Sequence, residues 1–324
     1  MTSAANGATT GVHRRFETGP LADGEMPRWV DALVALTIGG AAEEPTDPEY
    51  VRTTVQDRVA AEGGCRAATL VHEAARPVVS ARLVECRHPL TLRTDLRIED
   101  LAAFTGPLPP SDVVAVMSRL LDALPGSWPV RAELPVRGPA AAWAASLAGA
   151  GFVPEVLTVR RATADVPPAG GCRVRPATPA DAPFVQDCLA RAIHNGLAGE
   201  PPAVDVDEWA RRRFADPFHS GATCIIAERR GRRLGHVYAT VGPDRYRRIR
   251  LANIHDVYVV PEAKRQGVAH ALTAALADHL SRSGVPMMEG EVIMRGDPQQ
   301  ALRAGLAAVG WREDRIRWVR PAPL

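Results

Sequence analysis

The chain has 324 residues, of which 46% are hydrophobic and 23% are charged. This length exceeds the roughly 100–200 residues of a typical domain, so it favours two domains. The 39 basic and 37 acidic residues almost cancel to a formal net charge of +2, which gives no electrostatic argument for nucleic-acid binding.

Cysteine and hydropathy patterns narrow the class of protein further. The five cysteines are odd in number and never form C-x-x-C, which argues against a disulfide framework and a structural zinc site. The histidine spacings suggest no metal site. No apolar run approaches the roughly 20 residues of a membrane span, and no secretory signal precedes the longest run, at 29–38. We therefore expect a cytoplasmic protein without membrane or nucleic-acid partners.

In chain order, the first 26 residues lack apolar periodicity and are rich in Gly, Thr, Ser and Ala, so they predict a disordered leader at 1–26. The first half then contains a predicted hairpin with strands at 68–73 and 78–84. A helix is expected at 112–124, and a second helix of small residues precedes Gly151 and Phe152.

The second half begins with a predicted strand at 172–176. Thr178, Pro179 and Asp181 then give the start of a helix over 179–193. The remaining predicted elements are a helix at 206–214, hairpin strands at 223–228 and 234–241, a strand ending at Val260, a helix at 268–283, a strand at 287–293, a helix at 298–309 and a strand at 316–319.

The two halves repeat one pattern. A small-residue helix ends in Gly151-Phe152 in the first half and in Gly310-Trp311 in the second, an offset of 159 residues (310 − 151). The two predicted hairpins have a similar offset of 155 (228 − 73). These repeats predict a duplicated domain, with an N-terminal domain at 27–162, a linker at 163–171 and a C-terminal domain at 172–324.

A basic turn between a β-branched strand and a helix is the most informative feature of the second half. The strand stops at Pro261, the turn contains Lys264, Arg265 and Gly267, and the helix begins at about Val268. Free backbone amides gather at a helix N-terminus, where the helix dipole also favours an anion. The turn therefore predicts a phosphate-binding site.

The spacing in this turn does not fit Gly-x-x-x-x-Gly-Lys-Ser/Thr or Gly-x-Gly-x-x-Gly. It resembles motif A of the GCN5-related N-acetyltransferase (GNAT) family, in which Arg or Gln, two residues, Gly, one residue, and Gly or Ala follow a strand. Lys264, Gly267 and Ala269 stand at these positions, with lysine replacing the usual residue. The resemblance implies an α/β (α+β) fold of two tandem GNAT-type domains, each with the order βααβββαβαβ and a mixed central sheet flanked by helices.

The resemblance also implies acetyl-CoA, or another acyl-CoA, as the cofactor. Its pyrophosphate would bind the amides of the turn, and its pantetheine arm would pair with the strand edge like an additional strand. The cofactor-binding residues expected on this basis are Val257, Tyr258, Val259, Lys264, Arg265, Gln266, Gly267, Val268, Ala269, His270 and Gln299.

Acyl transfer to an amine needs a group that removes a proton from the nucleophile. His255 stands twelve residues before Gly267, where the resemblance implies the base. Because strand side chains alternate, we expect His255 to share a face with Val257 and Val259, and Asp256 to point the other way. Asp256 is the second candidate base. The structural alternatives are a strand histidine bonded to a neighbouring carbonyl and an aspartate that anchors a loop.

Three further residues are substrate-binding candidates. Glu289 and Glu291 share a strand face, so we expect them to bind the amine or act as the base, with a solvated strand face as the alternative. Tyr238 is the third. For the departing thiolate the alternatives are protonation by Tyr238 or by water, and departure without a general acid, since a thiol of pKa near 8.5 is a tolerable leaving group. Many family members have a tyrosine that acts as the general acid at a position that is Leu306 in this chain. A tyrosine at that position therefore cannot protonate the departing thiolate here.

The predicted activity is transfer of an acetyl group to the primary amine of a small molecule, such as an antibiotic, an amino sugar or an amino-acid-derived metabolite, by direct attack on the thioester. Three prolines in the first-half loop at 105–111 remove amide donors, so we expect that copy to have lost cofactor binding. A non-catalytic acyl-CoA-binding or regulatory module and an acetyltransferase like mycothiol synthase stay open as alternatives. A homodimer also stays open.

Overall fold

The structure is a computed structural model of the chain. It describes residues 16–21, 23–40, 46–61, 68–73, 76–103, 109–122, 128–137, 143–166, 171–197, 201–213, 222–244, 247–294 and 299–322. Most of the first-half loop at 105–111 therefore lies outside the described residues, and the prediction made for that loop stays a prediction.

The described residues of the first half form six strands and four helices in the order βααβββαβαβ. They are β1 (Phe16–Pro20), α1 (Met26–Gly40), α2 (Pro48–Ala61), β2 (Ala68–Glu73), β3 (Arg76–Arg87), β4 (Thr94–Ala103), α3 (Pro110–Asp122), β5 (Val130–Pro135), α4 (Trp143–Gly149) and β6 (Val153–Ala162).

The second half repeats this order. Its elements are β7 (Arg173–Pro176), α5 (Ala182–Leu197), α6 (Val206–Arg213), β8 (Ala222–Arg229), β9 (Arg232–Pro243), β10 (Arg250–Val259), α7 (Val268–Arg282), β11 (Met287–Ile293), α8 (Gln299–Ala308) and β12 (Arg312–Arg320). The predicted element order is therefore confirmed in both halves.

Two predicted boundaries are wrong. The leader was expected to run through Met26, but Phe16–Pro20 form β1 and pair antiparallel with β2, because this segment completes the edge of the sheet. The predicted helix at 179–193 begins with a 3₁₀ turn at Pro179–Asp181, and the α-helix begins at Ala182. Asp181 accepts hydrogen bonds from the backbone and the hydroxyl of Thr178, at 2.8 Å and 2.9 Å, as expected at this helix start.

All twelve described strands form one mixed sheet in the order β1-β2-β3-β4-β5-β12-β6-β11-β10-β9-β8-β7. The last strand of each half lies beside the other half, because β6 pairs with β11 and β12 pairs with β5. β6 and β12 also pair antiparallel at the centre, with Leu157 opposite Ile316. The two halves therefore share a continuous backbone hydrogen-bond network.

The helices that precede Gly151 and Gly310 end with the same backbone hydrogen bond. Phe152 N donates to Leu147 O at 3.0 Å, and Trp311 N donates to Leu306 O at 3.0 Å. Gly151 and Gly310 have positive φ angles of 83° and 85°, which side chains with a Cβ rarely adopt. The repeated Gly-aromatic sequence thus encodes one helix-ending motif twice.

Both faces of the sheet are covered. In the second half, α7 packs on the face that includes Val237, Ala239 and Ala252, whereas α5 and α6 cover the opposite face, where Ile226 and Tyr238 are buried. In the first half, α3 and α4 cover one apolar cluster, and α1 and α2 pack together over another. None of the helices in the described segments has the length and hydropathy of a membrane span.

The halves also meet through their loops. Ala203 N donates to Leu90 O at 2.8 Å, and the Arg248 guanidinium lies 3.5 Å from the Asp47 carboxylate and 5.0 Å from the centre of the Tyr50 ring. These contacts join the first half to the second half outside the sheet.

Candidate functional site

A β-bulge lies in the middle of the motif strand β10. Ile254 is opposite Ala239 and Asp256 is opposite Tyr238, so His255 has no opposing residue of its own on β9. A bulge of this kind interrupts the alternation of side chains along a strand. The faces of His255 and its neighbours therefore differ from those of a regular strand.

The bulge overturns the predicted orientation of His255. Its ring is 5.6 Å from the Tyr238 ring between centroids, and Nε2 lies 2.7 Å from Thr240 Oγ1. Tyr238 lies in the apolar cluster under α5 and α6, opposite the face that Val259 helps to form. His255 thus lies on the same side of the sheet as Asp256 and not on the side of Val257 and Val259. The alternation of residues along the strand did not indicate the bulge or the contact between His255 and Thr240.

Asp256 is already engaged by a buried histidine. Asp256 Oδ2 lies 2.9 Å from His236 Nε2, and the His236 side chain is completely buried on β9. Phe184 packs edge-on against the His236 ring, at 6.4 Å between centroids. This arrangement fits an anchoring role for Asp256 better than proton transfer in an open gap.

The strands β10 and β11 part next to His255. They pair in parallel from Leu251 opposite Met287 to Ile254 opposite Gly290, and the pairing stops there. Beyond this point β11 continues to pair with β6 up to Ile293. Among the described residues, the edge of β10 that faces β11 is therefore open, without a strand partner, over the last five residues of the strand, which include the predicted pantetheine-binding positions Val257, Tyr258 and Val259.

The turn after β10 presents free amides, as predicted from the sequence. A 3₁₀ turn at Pro261–Ala263 leads into it, and the first hydrogen bond of α7 runs from Ala271 N to Gly267 O at 3.0 Å. The amides of Val268, Ala269 and His270 precede that bond, so they have no acceptor inside the helix. Arg265 and Gly267 adopt positive φ angles of 62° and 75°, which bend the chain into a concave amide surface.

Side chains hold this turn in place. Gln266 accepts a hydrogen bond from Arg229 at 2.9 Å and donates one to Glu262 O at 2.7 Å. These two bonds fix the orientation of its side-chain amide. Val268 is buried under the sheet, whereas Lys264 and Arg265 are exposed. The exposed cations at the mouth of the turn complement an anionic ligand.

The two halves differ in how their last two helices pack. In the first half α3 and α4 contact each other, and α4 buries Trp143 and Leu147. In the second half α7 and α8 do not pack together, and α8 has no buried residue in its described length. Leu306 lies against the cluster formed by Leu157 and Met294. The last two helices of the second half are therefore packed less closely than their counterparts in the first half.

Other predicted residues already have protein partners. Gln299 donates to Met294 O at 3.2 Å, which ties the start of α8 to the end of β11. Glu289 binds Arg160 at 2.7 Å and Arg315 at 2.9 Å, and Glu291 binds Arg317 at 2.8 Å. The two glutamates are therefore charge-compensated, which weakens the prediction that they receive a cationic amine.

Burial keeps two thiols near the site protonated. Desolvation raises the pKa of Cys188 and of Cys224 to about 12, with Asp256 among the charges that add to the rise. A thiolate is the nucleophilic form of cysteine, so neither residue is a candidate for a covalent intermediate at neutral pH.

A cavity of about 510 Å³ opens on the His255 side of the sheet, at the junction of the two halves. Its lining includes Asn253 and Glu289 from the second half and Arg97 and Arg131 from the first. Burial raises the pKa of Asp314 in its wall, and the nearby Arg160 and Arg315 act against this rise. Sequence reasoning missed this cavity because it exists only where the exchanged strands bring the halves together.

Comparison with known proteins supports the family resemblance of the second half. Residues 190–302 match the acetyltransferase (GNAT) family, so the resemblance carried by the motif A residues is confirmed. The chain is similar to the phosphinothricin N-acetyltransferase of Alcaligenes faecalis, with 32% identity over 106 residues. This match covers 32% of the chain and 53% of that enzyme, so the chain spans about half the length of the curated relative.

Solved structures are similar across almost the whole chain. A GCN5-related N-acetyltransferase from Sphaerobacter thermophilus has a TM-score of 0.52 and 16% identity, and the match covers 95% of this chain and 97% of that one. A tandem GNAT protein from the clavulanic acid biosynthesis pathway has a TM-score of 0.44 and 17% identity, over 96% and 99% of the two chains. The first likeness supports the fold expected from the sequence.

Proposed function

We propose that the protein is an acetyl-CoA-dependent N-acetyltransferase that acts on the primary amine of a small molecule. One observation carries the proposal: β10 parts from β11 at His255, and the same strand leads within twelve residues into the free amides at the start of α7. An open strand edge followed by an anion-binding turn suits a long ligand with an amide-containing arm and a diphosphate.

The donor site would be built from main chain and two cations. The amides of Val268, Ala269 and His270 would bind the diphosphate, with Lys264 and Arg265 at its margin. The open edge of β10 would pair with the pantetheine arm. Bound acetyl-CoA supplies an activated acetyl thioester.

The packing of the first half supports a donor site in the second half only. There α3 and α4 pack against each other over buried Trp143 and Leu147, whereas α7 and α8 make no comparable contact. We therefore assign the first half a structural role and a share in the cavity at the junction of the halves.

His255 is the base that we assign to the reaction. It lies beside the strand opening and is exposed, so an acceptor amine can reach its ring. As the amine nitrogen bonds to the acetyl carbon and the carbon–sulfur bond breaks, His255 accepts the proton that the nitrogen loses. The departing thiol has an ordinary pKa near 8.5, so it leaves without a dedicated acid. This fits Leu306 at the position of the usual tyrosine.

We assign Asp256 to anchoring of the bulge through His236, and Tyr238 to packing against the His255 ring. Glu289 and its partner Arg160 belong to the charged wall of the cavity at the junction of the halves. Glu291 binds Arg317, which also lines that cavity. Gln299 supports the β11–α8 connection and does not need to contact the cofactor.

The test combines binding with turnover. Calorimetry should detect acetyl-CoA binding to the full chain, and a thiol-release assay with a panel of amines should then identify acceptors. Phosphinothricin belongs in this panel, because the curated relative is named for it. Absence of acyl-CoA binding by folded protein would refute the proposal. Binding without thiol release across the panel would favour an acyl-CoA-binding module instead.

A further inference from the structure

Among the described residues that line the cavity at the junction of the halves, positive charge is in excess. These residues include seven arginines and five carboxylates, and the cavity has a volume of about 510 Å³, within the range of small-molecule sites. The lining includes residues of α1, α2, β4, β5 and β6 from the first half and of β9, β10, β11 and β12 from the second half. The site is therefore complete only when both halves are present.

Most of these arginines have partners. Arg160 binds Glu289, Arg247 binds Asp244 at 3.0 Å, and Arg131 binds Glu155 at 2.8 Å. Within the described part of the chain, Arg97 is the one cavity arginine whose side chain has no hydrogen bond or ion pair. It lies on β4, directly beside Arg131 on β5. This end of the cavity therefore presents an uncompensated guanidinium.

A row of polar residues joins the cavity to His255. His255 contacts Thr240, and Thr240 is the register partner of Asn253. Asn253 is in turn opposite Glu289, and Glu289 is opposite Arg160. Register partners on adjacent strands point to the same side of a sheet. The row therefore leads from His255 and Thr240, which lie outside the cavity lining, to Asn253, Glu289 and Arg160, which belong to it.

The two ends of this site are far apart. In the sheet order, β10 and β4 are separated by β11, β6, β12 and β5, which makes five strand-to-strand steps. At about 4.8 Å per step, the strands of His255 and Arg97 lie on the order of 24 Å apart. A ligand that reaches from the base to Arg97 must be elongated.

We propose that this cavity binds the acceptor, and that the acceptor is an elongated amine whose far end carries a carboxylate bound by Arg97. This inference rests on the proposed function, because it places the acceptor's amine at His255. It assigns the first half a specific task, which is to recognise the acidic end of a molecule that is acetylated in the second half. Arg97 is a specificity residue and does not touch the reacting atoms.

Oligoglycines of four to eight residues test the length and the charge together, because each residue adds about 3.4 Å in the extended form and only the longest members span about 24 Å. Each peptide is assayed as the free acid and as the C-terminal amide, with acetyl-CoA and thiol release as the readout. We expect the longer acids to exceed their amides at least tenfold in kcat/KM, mainly through a lower KM. Arg97→Ala should abolish this preference and leave kcat and acetyl-CoA affinity unchanged.

Arg28→Ala is the matched control, because it removes an exposed arginine of the same half on α1 outside the cavity lining. It should behave as the wild type. Equal kcat/KM values for acids and amides, or an unchanged KM in Arg97→Ala, would overturn the inference. The proposed function would still hold in that case if the protein turns over acetyl-CoA.

A second measurement covers peptides that bind without turnover. Native mass spectrometry of the full chain with octaglycine and with its amide should show binding of the acid to the wild type and weaker binding to Arg97→Ala. Absence of a difference would contradict the role of Arg97. Failure of the proposed function is recognised separately, since calorimetry with acetyl-CoA alone does not involve this cavity.

Discussion

His255 Nε2 lies 2.7 Å from Thr240 Oγ1 across the β9–β10 pair. The contact exists because a bulge turns His255 to the side of the sheet where Thr240 and Tyr238 lie. A hydroxyl partner of this kind fixes the orientation of an imidazole ring. The candidate base is thus held next to the opening between β10 and β11.

Replacing His255 should remove catalysis and keep donor binding. We expect His255→Ala to lower kcat by about 10²–10⁴-fold, the range of a lost general base, with an unchanged Kd for acetyl-CoA. Steady-state thiol release and calorimetry measure the two quantities. His279→Ala, which alters an exposed histidine on α7, is the control and should retain activity. A His255→Ala variant with wild-type kcat would remove His255 from the mechanism.

Thr240→Val should act through His255. The substitution removes the hydroxyl next to Nε2 and keeps a β-branched strand residue, so we expect a loss of about tenfold in kcat/KM and little loss of stability. In the double variant with His255→Ala, the Thr240 substitution should add almost nothing, because its partner is gone. Additive losses in this double-mutant cycle would show that Thr240 acts independently of His255.

Lys264 is the only lysine of the chain, so an amine-reactive reagent reports on the turn before α7. Lys264 is exposed in the structure and should react quickly. Saturating acetyl-CoA should slow its modification severalfold, because the diphosphate would cover the turn. Peptide mass spectrometry measures the rate, and the terminal amine of the chain serves as the internal control. Equal protection at both amines, or at neither, would contradict a donor site at this turn.

Gly267→Ala should weaken both folding and donor binding. Gly267 has a φ of 75°, and an alanine there costs about 1 kcal/mol of unfolding free energy through backbone strain. The distorted amides should also raise the Kd for acetyl-CoA. Gly305→Ala lies in the helical interior of α8 and should instead stabilise the protein by about 0.5–1 kcal/mol. Urea unfolding and calorimetry compare the two, and equal effects on acetyl-CoA binding would contradict the assignment of the turn.

Asp181 should make stability depend on pH. Hydrogen bonds from Arg175 hold the pKa of Asp181 well below its usual range, so the folded state gains stability above the ordinary carboxyl pKa near 3.9 and loses it as the pH falls further. We expect Asp181→Asn to lower the unfolding free energy by about 2 kcal/mol at pH 7, since the bonds involve charged groups. This deficit should shrink below pH 4.

The control for this prediction is Asp187→Asn, which breaks an exposed pair with Arg191 on α5. It should change the unfolding free energy by less than about 0.5 kcal/mol at either pH. Urea unfolding of the three proteins at pH 7 and pH 3 gives the comparison. A deficit for Asp181→Asn that stays constant between these pH values would contradict the predicted linkage.

Local sequence signals predicted most of the fold. The strand at 287–293 and the first-half strand at 68–73 were predicted to the residue, because each is a short apolar run bounded by turn signals. The helix start at Val268 and the repeated Gly-aromatic helix ends were also predicted. Positive φ angles favour glycine, so glycines mark these helix boundaries in the sequence. The short β1 was missed because five residues with no apolar periodicity depend on β2 for their structure.

The sequence alone therefore determined the duplicated order of elements and the amide turn, because both depend on contacts within a few residues of each other. The tertiary structure decided the direction of His255, through a register shift against β9 that strand alternation does not reveal. It also decided the arginine partners of Glu289 and the central cavity, because strand exchange brings together residues more than a hundred positions apart. Long-range pairing, which no local pattern encodes, sets the chemistry of this site.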